Sequence, residues 1–247
     1  VKKRERVPGT VRALALATFA ALTLAACASP SPFAKLPRVS QREWDRSRAA
    51  LAAARAEAPR DPYVLVVSVE MHEPRLARTF TARGAIAVLP GRAVRMQLVG
   101  PGGATAIDAW LSRERFRFDV PAADVHAKGS IDGTESQGLP VGFFRFWFLT
   151  ALEGRLLFAK PTREGTYLVL REGRATVEMF RASRGGHVEA ERTANGVTEE
   201  LSVEAAAPRP SVGDRAVYRA PGGATVRVVV EGLGDEAPDP AAFEEPR

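Results

Sequence analysis

Apolar and polar positions alternate with a period of two along most of this chain. The alternation is cleanest over residues 114–120, where Phe116, Phe118 and Val120 oppose Arg115, Arg117 and Asp119. In 92–99, Val94, Met96 and Leu98 alternate with Arg95 and Gln97. In 78–89, Phe80, Ala82, Ile86 and Val88 share a face while Thr79, Thr81 and Arg83 take the other. Similar runs occupy 63–72 and 104–112, and 125–128 offers a short addition. A second series follows at 155–159, 166–171, 174–181, 187–193, 197–206, 215–220 and 225–231. Such alternation means strands with one dry and one wet face, as in an antiparallel sheet. The links are short turn sequences, among them Pro90-Gly91, Gly100-Pro101-Gly102-Gly103 and Asn195-Gly196, which suit hairpins and not crossover helices. Taken together the pattern predicts roughly eleven or twelve strands in a curved antiparallel sheet.

Two stretches break the period. Ser40-Gln41-Arg42-Glu43 reads as a capping box, and Trp44, Leu51, Ala54 and Ala58 follow at helical spacing until Pro59. Its apolar stripe is mostly alanine, which favours an ordinary packing helix over a lid. The second break runs from Gly138 to Leu152 and holds four of the chain's twelve phenylalanines and one of its three tryptophans. Pro140 suits a first helical turn, and the residues after it are apolar on nearly every side, so a buried helix is expected between the two series of strands. Gly142 and Arg145 interrupt it, and it is too short to span a bilayer, which takes roughly 20 apolar residues. The segment Pro101-Gly102-Gly103-Ala104-Thr105 recurs as residues 221–225, in each case reading as a tight turn that feeds a strand.

Composition changes the picture at the ends. Lys2, Lys3, Arg4, Arg6 and Arg12 form a basic region ahead of a short apolar core, and the run closes on Leu24-Ala25-Ala26-Cys27. This resembles the lipobox of bacterial lipoproteins, and Cys27 is the only cysteine in the chain. An ordinary secretory signal or an uncleaved anchor would leave that placement unexplained. The resemblance implies that residues 1–26 are a lipoprotein signal peptide and that Cys27 carries acyl chains. Ala28 behind it resembles the sorting pattern for export to the outer membrane. One acyl chain binds a bilayer only marginally, whereas two or three anchor stably. Residues 27–39, rich in Ser and Pro, read as a flexible tether, and the acidic, Pro-rich residues 234–247 read as a disordered tail. The whole chain holds 35 basic and 29 acidic residues, a net charge of +6. Residues 1–26 account for five of the basic and one of the acidic residues, so 30 and 28 remain, a net +2. The basic character belongs to the leader and is no argument for nucleic-acid binding.

Candidate chemistry is sparse. His72, His126 and His187 are scattered and form no metal-ligand spacing, no nucleophile elbow is present, and the one cysteine is assigned to lipid. No catalytic residue, metal or cofactor is expected. What the pattern offers is apolar volume: Phe80, Met96, Leu98, Phe116, Phe118, Phe143, Phe144, Trp147 and Phe148 could equally line an acyl-chain cavity or fill a solid core.

Several stretches resemble the LolA/LolB-like lipoprotein-localisation carriers. They are the turn Val99-Gly100-Pro101-Gly102-Gly103-Ala104-Thr105, the run Gly138-Leu139-Pro140-Val141 followed by Trp147-Phe148-Leu149, the strand around Thr81-Ala82-Arg83-Gly84-Ala85, and a closing hairpin over 221–232. Their shared order spans most of residues 40–233. The resemblance implies a mainly β fold: a curved antiparallel sheet forming an incomplete, half-open β-barrel of about 11 strands, covered by an N-terminal helix and a central apolar helix. It implies a hollow that takes the acyl chains of lipoproteins delivered by a periplasmic carrier. The protein would be a lipid-anchored monomer on the outer membrane, facing the periplasm, and not an enzyme. The family's membrane-touching loop falls on Pro101, Gly102 and Gly103, where Gly102 stands in place of its exposed leucine. The register against the family's first strand stays open between residues 63–72 and 78–89. The other expectation is a structural or regulatory envelope lipoprotein that uses the same fold to bind a protein partner.

Overall fold

The computed structural model describes residues 39–246, except 75–77, 132, 134, 135, 137, 138, 150, 151, 185 and 207–209. Cys27, Ala28, the leader and the tether up to residue 38 lie outside the described residues, as does Gly138. Residues 39–247 make a compact unit with its own hydrophobic core.

Helix α1 (Gln41–Glu57) begins at the expected capping box. Ser40 Oγ accepts from the Glu43 amide, and the Glu43 carboxylate accepts from the Ser40 amide at 2.8 Å. Two of the amides that a helix start leaves without partners are satisfied in this way. Leu51 and Ala54 are buried, and the helix packs on the strand over residues 155–161. Near its end, Arg55 donates to the carbonyls of Leu152 and Gly154, each at 2.8 Å, which fixes the helix to the chain just after the aromatic stretch.

The strands are β1 (Tyr63–Glu73), β2 (Arg78–Leu89), β3 (Ala93–Val99), β4 (Thr105–Ser112), β5 (Arg115–Val120), β6 (Val125–Ser130), β7 (Arg155–Pro161), β8 (Gly165–Glu172), β9 (Ala175–Ala182), β10 (Val188–Ala194), β11 (Val197–Glu204), β12 (Arg215–Arg219) and β13 (Thr225–Leu233). They form one antiparallel sheet in the order β6-β5-β4-β3-β2-β1-β13-β12-β11-β10-β9-β8-β7. The sheet thus has thirteen strands where about eleven were expected. Every alternating segment pairs, including the short β6 at the edge.

Thirteen strands could close a barrel, but β6 and β7 do not pair among the described residues. Chain order explains the gap. β13 returns to lie beside β1, so the first and last strands become central, and the two free edges fall in the middle of the sequence. The chain from β6 to β7 must therefore cross from one edge to the other. That crossing segment carries helix α2 (Val141–Phe144) and a π-helical turn (Arg145–Leu149). On its way the central apolar helix lies against the inner face, where Phe143 meets Tyr218 of β12 and the Gly91 amide donates to the Phe148 carbonyl.

Residues of one parity make the core. Leu65, Val67 and Val69 on β1, Ile86 and Val88 on β2, and Val226, Val228 and Val230 on β13 are buried on one face. The other face is ionic, with Arg95–Asp108 at 2.7 Å, Arg219–Glu200 at 3.1 Å and Arg227 paired with Glu70. The β10–β11 hairpin turns on Asn195 (φ 52°) and Gly196 (φ 76°), two left-handed residues in succession as a type I′ turn requires.

The last residues depart from the expected disordered tail. Gly234 donates its amide to the Val64 carbonyl at 2.9 Å, and residues Pro240–Phe243 form a 3₁₀ turn. The Phe243 carbonyl accepts from Trp110 Nε1 at 3.0 Å, and Glu245 pairs with Arg115 at 2.8 Å. Trp110 sits on the wet face of β4 yet is buried, because the tail covers it. An acidic composition suggested solvation. A large aromatic with an N–H to satisfy supplied the docking point.

Candidate functional site

The crossing segment adds a cluster of aromatic rings to the core. Pro140 stands at the N-cap, one place before the first turn. Phe143 is fully buried and packs edge-on against Phe144, Trp147 and Phe148 at centroid distances of 5.0, 5.3 and 6.2 Å. Tyr218 of β12 meets the same ring at 6.0 Å, and Trp147 stacks on Phe148 at 4.7 Å. Pairs of this geometry contribute about 0.5–1.5 kcal/mol each beyond area burial. After Phe144 the helix widens into the π turn, a form that is rare and frequent at functional sites.

Beneath one end of this segment lies a charge network on the inward face. Glu172 accepts from Arg145 Nη2 and from Arg192 Nε, both at 3.1 Å. Arg192 Nη1 also donates to Glu199 at 2.8 Å, and Glu199 accepts from the Tyr218 hydroxyl at 2.6 Å. The four charged side chains are only 12–13% exposed. Two cations and two anions balance. Burial opposes the charged form of Arg192, but the neighbouring Glu199 and Glu172 outweigh it and raise its pKa. Burial, then Glu199, pushes the Tyr218 phenol well above its ordinary value. A methyl group on Gly142 would collide with Glu199 Oε2 and the Tyr218 hydroxyl, so α2 approaches the network as closely as only glycine permits.

Phe146 and Trp147 also border a mainly apolar cleft of about 150 Å³. It is lined as well by Met179, Leu201 and Val203 of the sheet, and by Ala54 of α1 with Ala58 just past its end. The alanine stripe of α1 is what leaves the space: larger residues there would fill it. Polar groups at the cleft are few. Asp214 is almost fully buried, and its carboxylate accepts from the amides of Ala206 and Ser211 and from the Ser211 hydroxyl. Tyr63 and Arg181 also border the cleft. Burial raises the Tyr63 pKa, and burial lowers that of Arg181 against an opposing pull from Glu57.

The residues singled out from sequence fall in different places. Met96, Leu98, Phe116, Phe118, Phe143, Phe144 and Phe148 are buried in a single core cluster, and Trp147 packs against it half-buried. Of these, Trp147 borders the cleft. Phe80 has the inward parity of β2 but stands 38% exposed, where the sheet runs beyond its cover. Pro101, Gly102 and Gly103 form an exposed turn closed by Gly100 donating to the Ala104 carbonyl at 2.9 Å. His72 is on β1, His126 on β6 and His187 just before β10, and among the described residues no group of three or more His, Cys, Asp and Glu is arranged to hold a metal. No described helix is long and apolar enough to cross a membrane. Sequence reading missed Arg181, Tyr63 and Phe146. The available signal was parity: on β9 the buried run Ala175, Val177 and Met179 continues to Arg181, a charge in an apolar register.

Comparison with known proteins finds the fold and nothing closer. No family model matches the chain, and no curated protein does. Solved structures do. A LolA superfamily protein from Nitrosomonas europaea aligns with a TM-score of 0.55 at 11% identity, covering 81% of this chain and 97% of its own. A putative outer membrane lipoprotein-sorting protein domain from Vibrio parahaemolyticus aligns at 0.52 and 8% identity, covering 81% and 96%. A DUF1329 family protein from Desulfovibrio piger aligns at 0.51 and 10%, covering 82% and 97%. The chain therefore has a mainly β, open antiparallel half-barrel fold like that of solved LolA superfamily proteins, at identities that carry the fold alone.

Proposed function

We propose that the protein is a lipoprotein anchored to the outer membrane through acyl chains on Cys27, which binds acyl chains in its hollow and assists the localisation of other lipoproteins. The observation that carries this reading is the apolar cleft between the aromatic segment and the inner face of an open sheet. Largely apolar clefts with few polar groups are the usual form of small-molecule sites. The likeness to solved structures, one of them titled a lipoprotein-sorting domain, supports it. On this reading Ala28 directs sorting, a periplasmic carrier delivers the cargo, the protein works as a monomer, and no bond chemistry is needed. The exposed Pro101-Gly102-Gly103 turn would be the part nearest the membrane. A cleft of about 150 Å³ is of the size that takes a benzene-sized guest, so it holds a segment of one chain. A longer chain requires the aromatic rings to give way, with Phe143, Phe144 and Phe148 then lining the enlarged space.

The test is native mass spectrometry on a form without leader and with Cys27→Ala, purified and then offered an acylated peptide on a donor protein. Bound lipid or acylated peptide is expected. A form that is empty and takes no acylated peptide refutes the reading. One observation favours a second reading, a structural or regulatory envelope lipoprotein that binds a protein partner: Phe143 and Phe144 are already fully packed in the hollow. That reading predicts the empty outcome.

A further inference from the structure

The inward face of the sheet carries charge in two places, and they are treated differently. Arg145 and Arg192 are held by Glu172 and Glu199. Arg181 lies toward the other end of β9, opposite Val188, in the same apolar parity as Val177 and Met179. It borders the cleft half-buried, and among the described residues it has neither ion pair nor side-chain hydrogen bond. Glu57 acts on it only at a distance. Asp214, the nearby carboxylate, is engaged by Ala206 and Ser211. Tyr63, on the inward parity of β1, borders the same cleft, and its hydroxyl likewise has no hydrogen-bond partner among the described residues. A guanidinium and a phenol without partners therefore border a mainly apolar cleft whose one carboxylate, Asp214, is already engaged. Burying a charge without a counter-charge or hydrogen bonds is costly; the inward Arg145, Arg192, Glu172 and Glu199 are ion-paired, and Asp214 is held by three hydrogen bonds.

We infer that Arg181 and Tyr63 form a subsite for the anionic head of a single-chain amphiphile whose tail enters the cleft beside Phe146 and Trp147. Arginine's planar fork donates in parallel to two oxygens of a carboxylate or phosphate, and a phenol adds a third donor. The apolar lining takes the first carbons of the tail. This deepens the acyl-chain reading and rests on it: the hollow distinguishes acyl chains by their head as well as their length. A free fatty acid and a lipid phosphate monoester share the required chemistry.

Isothermal titration of the Cys27→Ala chain with decanoate, decyl phosphate and decanol tests it. The tails match and only the head differs. The expected result is binding of at least one anion about tenfold or more tighter than decanol, since a charge-assisted bond is worth on the order of a factor of ten. Preference for decanoate assigns a fatty acid, and preference for decyl phosphate a lipid phosphate. Arg181→Gln is expected to abolish the preference while leaving decanol affinity within about twofold, and Tyr63→Phe to reduce it by a smaller factor. Arg181→Lys keeps the charge without the fork and should retain part of the preference. Equal binding of all three ligands by the unsubstituted chain overturns the subsite and leaves acyl-chain binding standing. Binding of none overturns both. If Arg181→Gln weakens decanol as much as the anions, the arginine only shapes the cleft and the inference fails.

Discussion

Replacing Glu172 by Gln should be among the most damaging single changes of charge in the sheet. Both carboxylate oxygens are used, one by Arg145 and one by Arg192, each at 3.1 Å, and the side chain is 12% exposed. At an effective dielectric near 20, a unit pair about 4 Å apart gains about 4 kcal/mol. Much of that is offset by desolvation, but removing one partner leaves the desolvation cost uncompensated, and such losses run to about 3–5 kcal/mol. Arg192 keeps Glu199 at 2.8 Å, and a glutamine oxygen can still accept one bond, so the lower end, about 3 kcal/mol, is expected. The structure contains its own control. Glu200 pairs with Arg219 at the same 3.1 Å, but the two side chains are 52% and 60% exposed. Glu200→Gln should therefore cost less than about 1 kcal/mol. Urea unfolding of the Cys27→Ala chain, followed by circular dichroism, gives both values if the slope with denaturant is unchanged. If the two substitutions cost the same, burial is not what gives the network its weight, and the reasoning fails.

Two further outcomes are expected. Gly142→Ala places a methyl where Glu199 and Tyr218 meet; overpacking of this kind costs about 1–3 kcal/mol, so a fall in the urea midpoint is expected and an unchanged midpoint would show that α2 is not pinned there. Asp119 concerns pH: burial alone would raise its pKa, but hydrogen bonds from His126 at 2.9 Å and Arg117 at 2.8 Å outweigh it and hold the carboxylate below its usual range. A folded pKa below the unfolded one adds stability that is present above the unfolded value, near ~3.9, and is lost as pH falls through the folded one. Asp119→Asn should thus lower the urea midpoint at pH 6 and flatten its decline between about pH 4 and 2; an identical decline in both proteins would disprove the linkage.

The strands were legible because alternation is local. Each strand's own residues state which side is dry, and Phe116 and Phe118 needed no neighbour to say so. The type I′ turn at Asn195-Gly196 and the capping box at Ser40 were legible for the same reason: their chemistry is complete within four residues. Phe80 and Trp110 show where that reading stops. Phe80 has the inward parity but lies past the end of the cover, and Trp110 has the outward parity but lies under the tail. Cover is supplied by distant segments, so parity alone cannot report it.

Sequence by itself determined that this is an antiparallel β-protein with two interruptions, the first an alanine-striped helix and the second an aromatic segment too short to span a membrane. Tertiary structure decided what those interruptions do. Pairing of β13 with β1 puts the sheet's free edges at β6 and β7, so the aromatic segment has to connect one edge to the other, and it packs against the inner face on the way. The same closure turns Arg181 and Tyr63 toward one cleft although more than a hundred residues separate them in sequence. Strand formation depends on neighbours along the chain; the hollow depends on which strands meet, a non-local choice that no window of sequence contains.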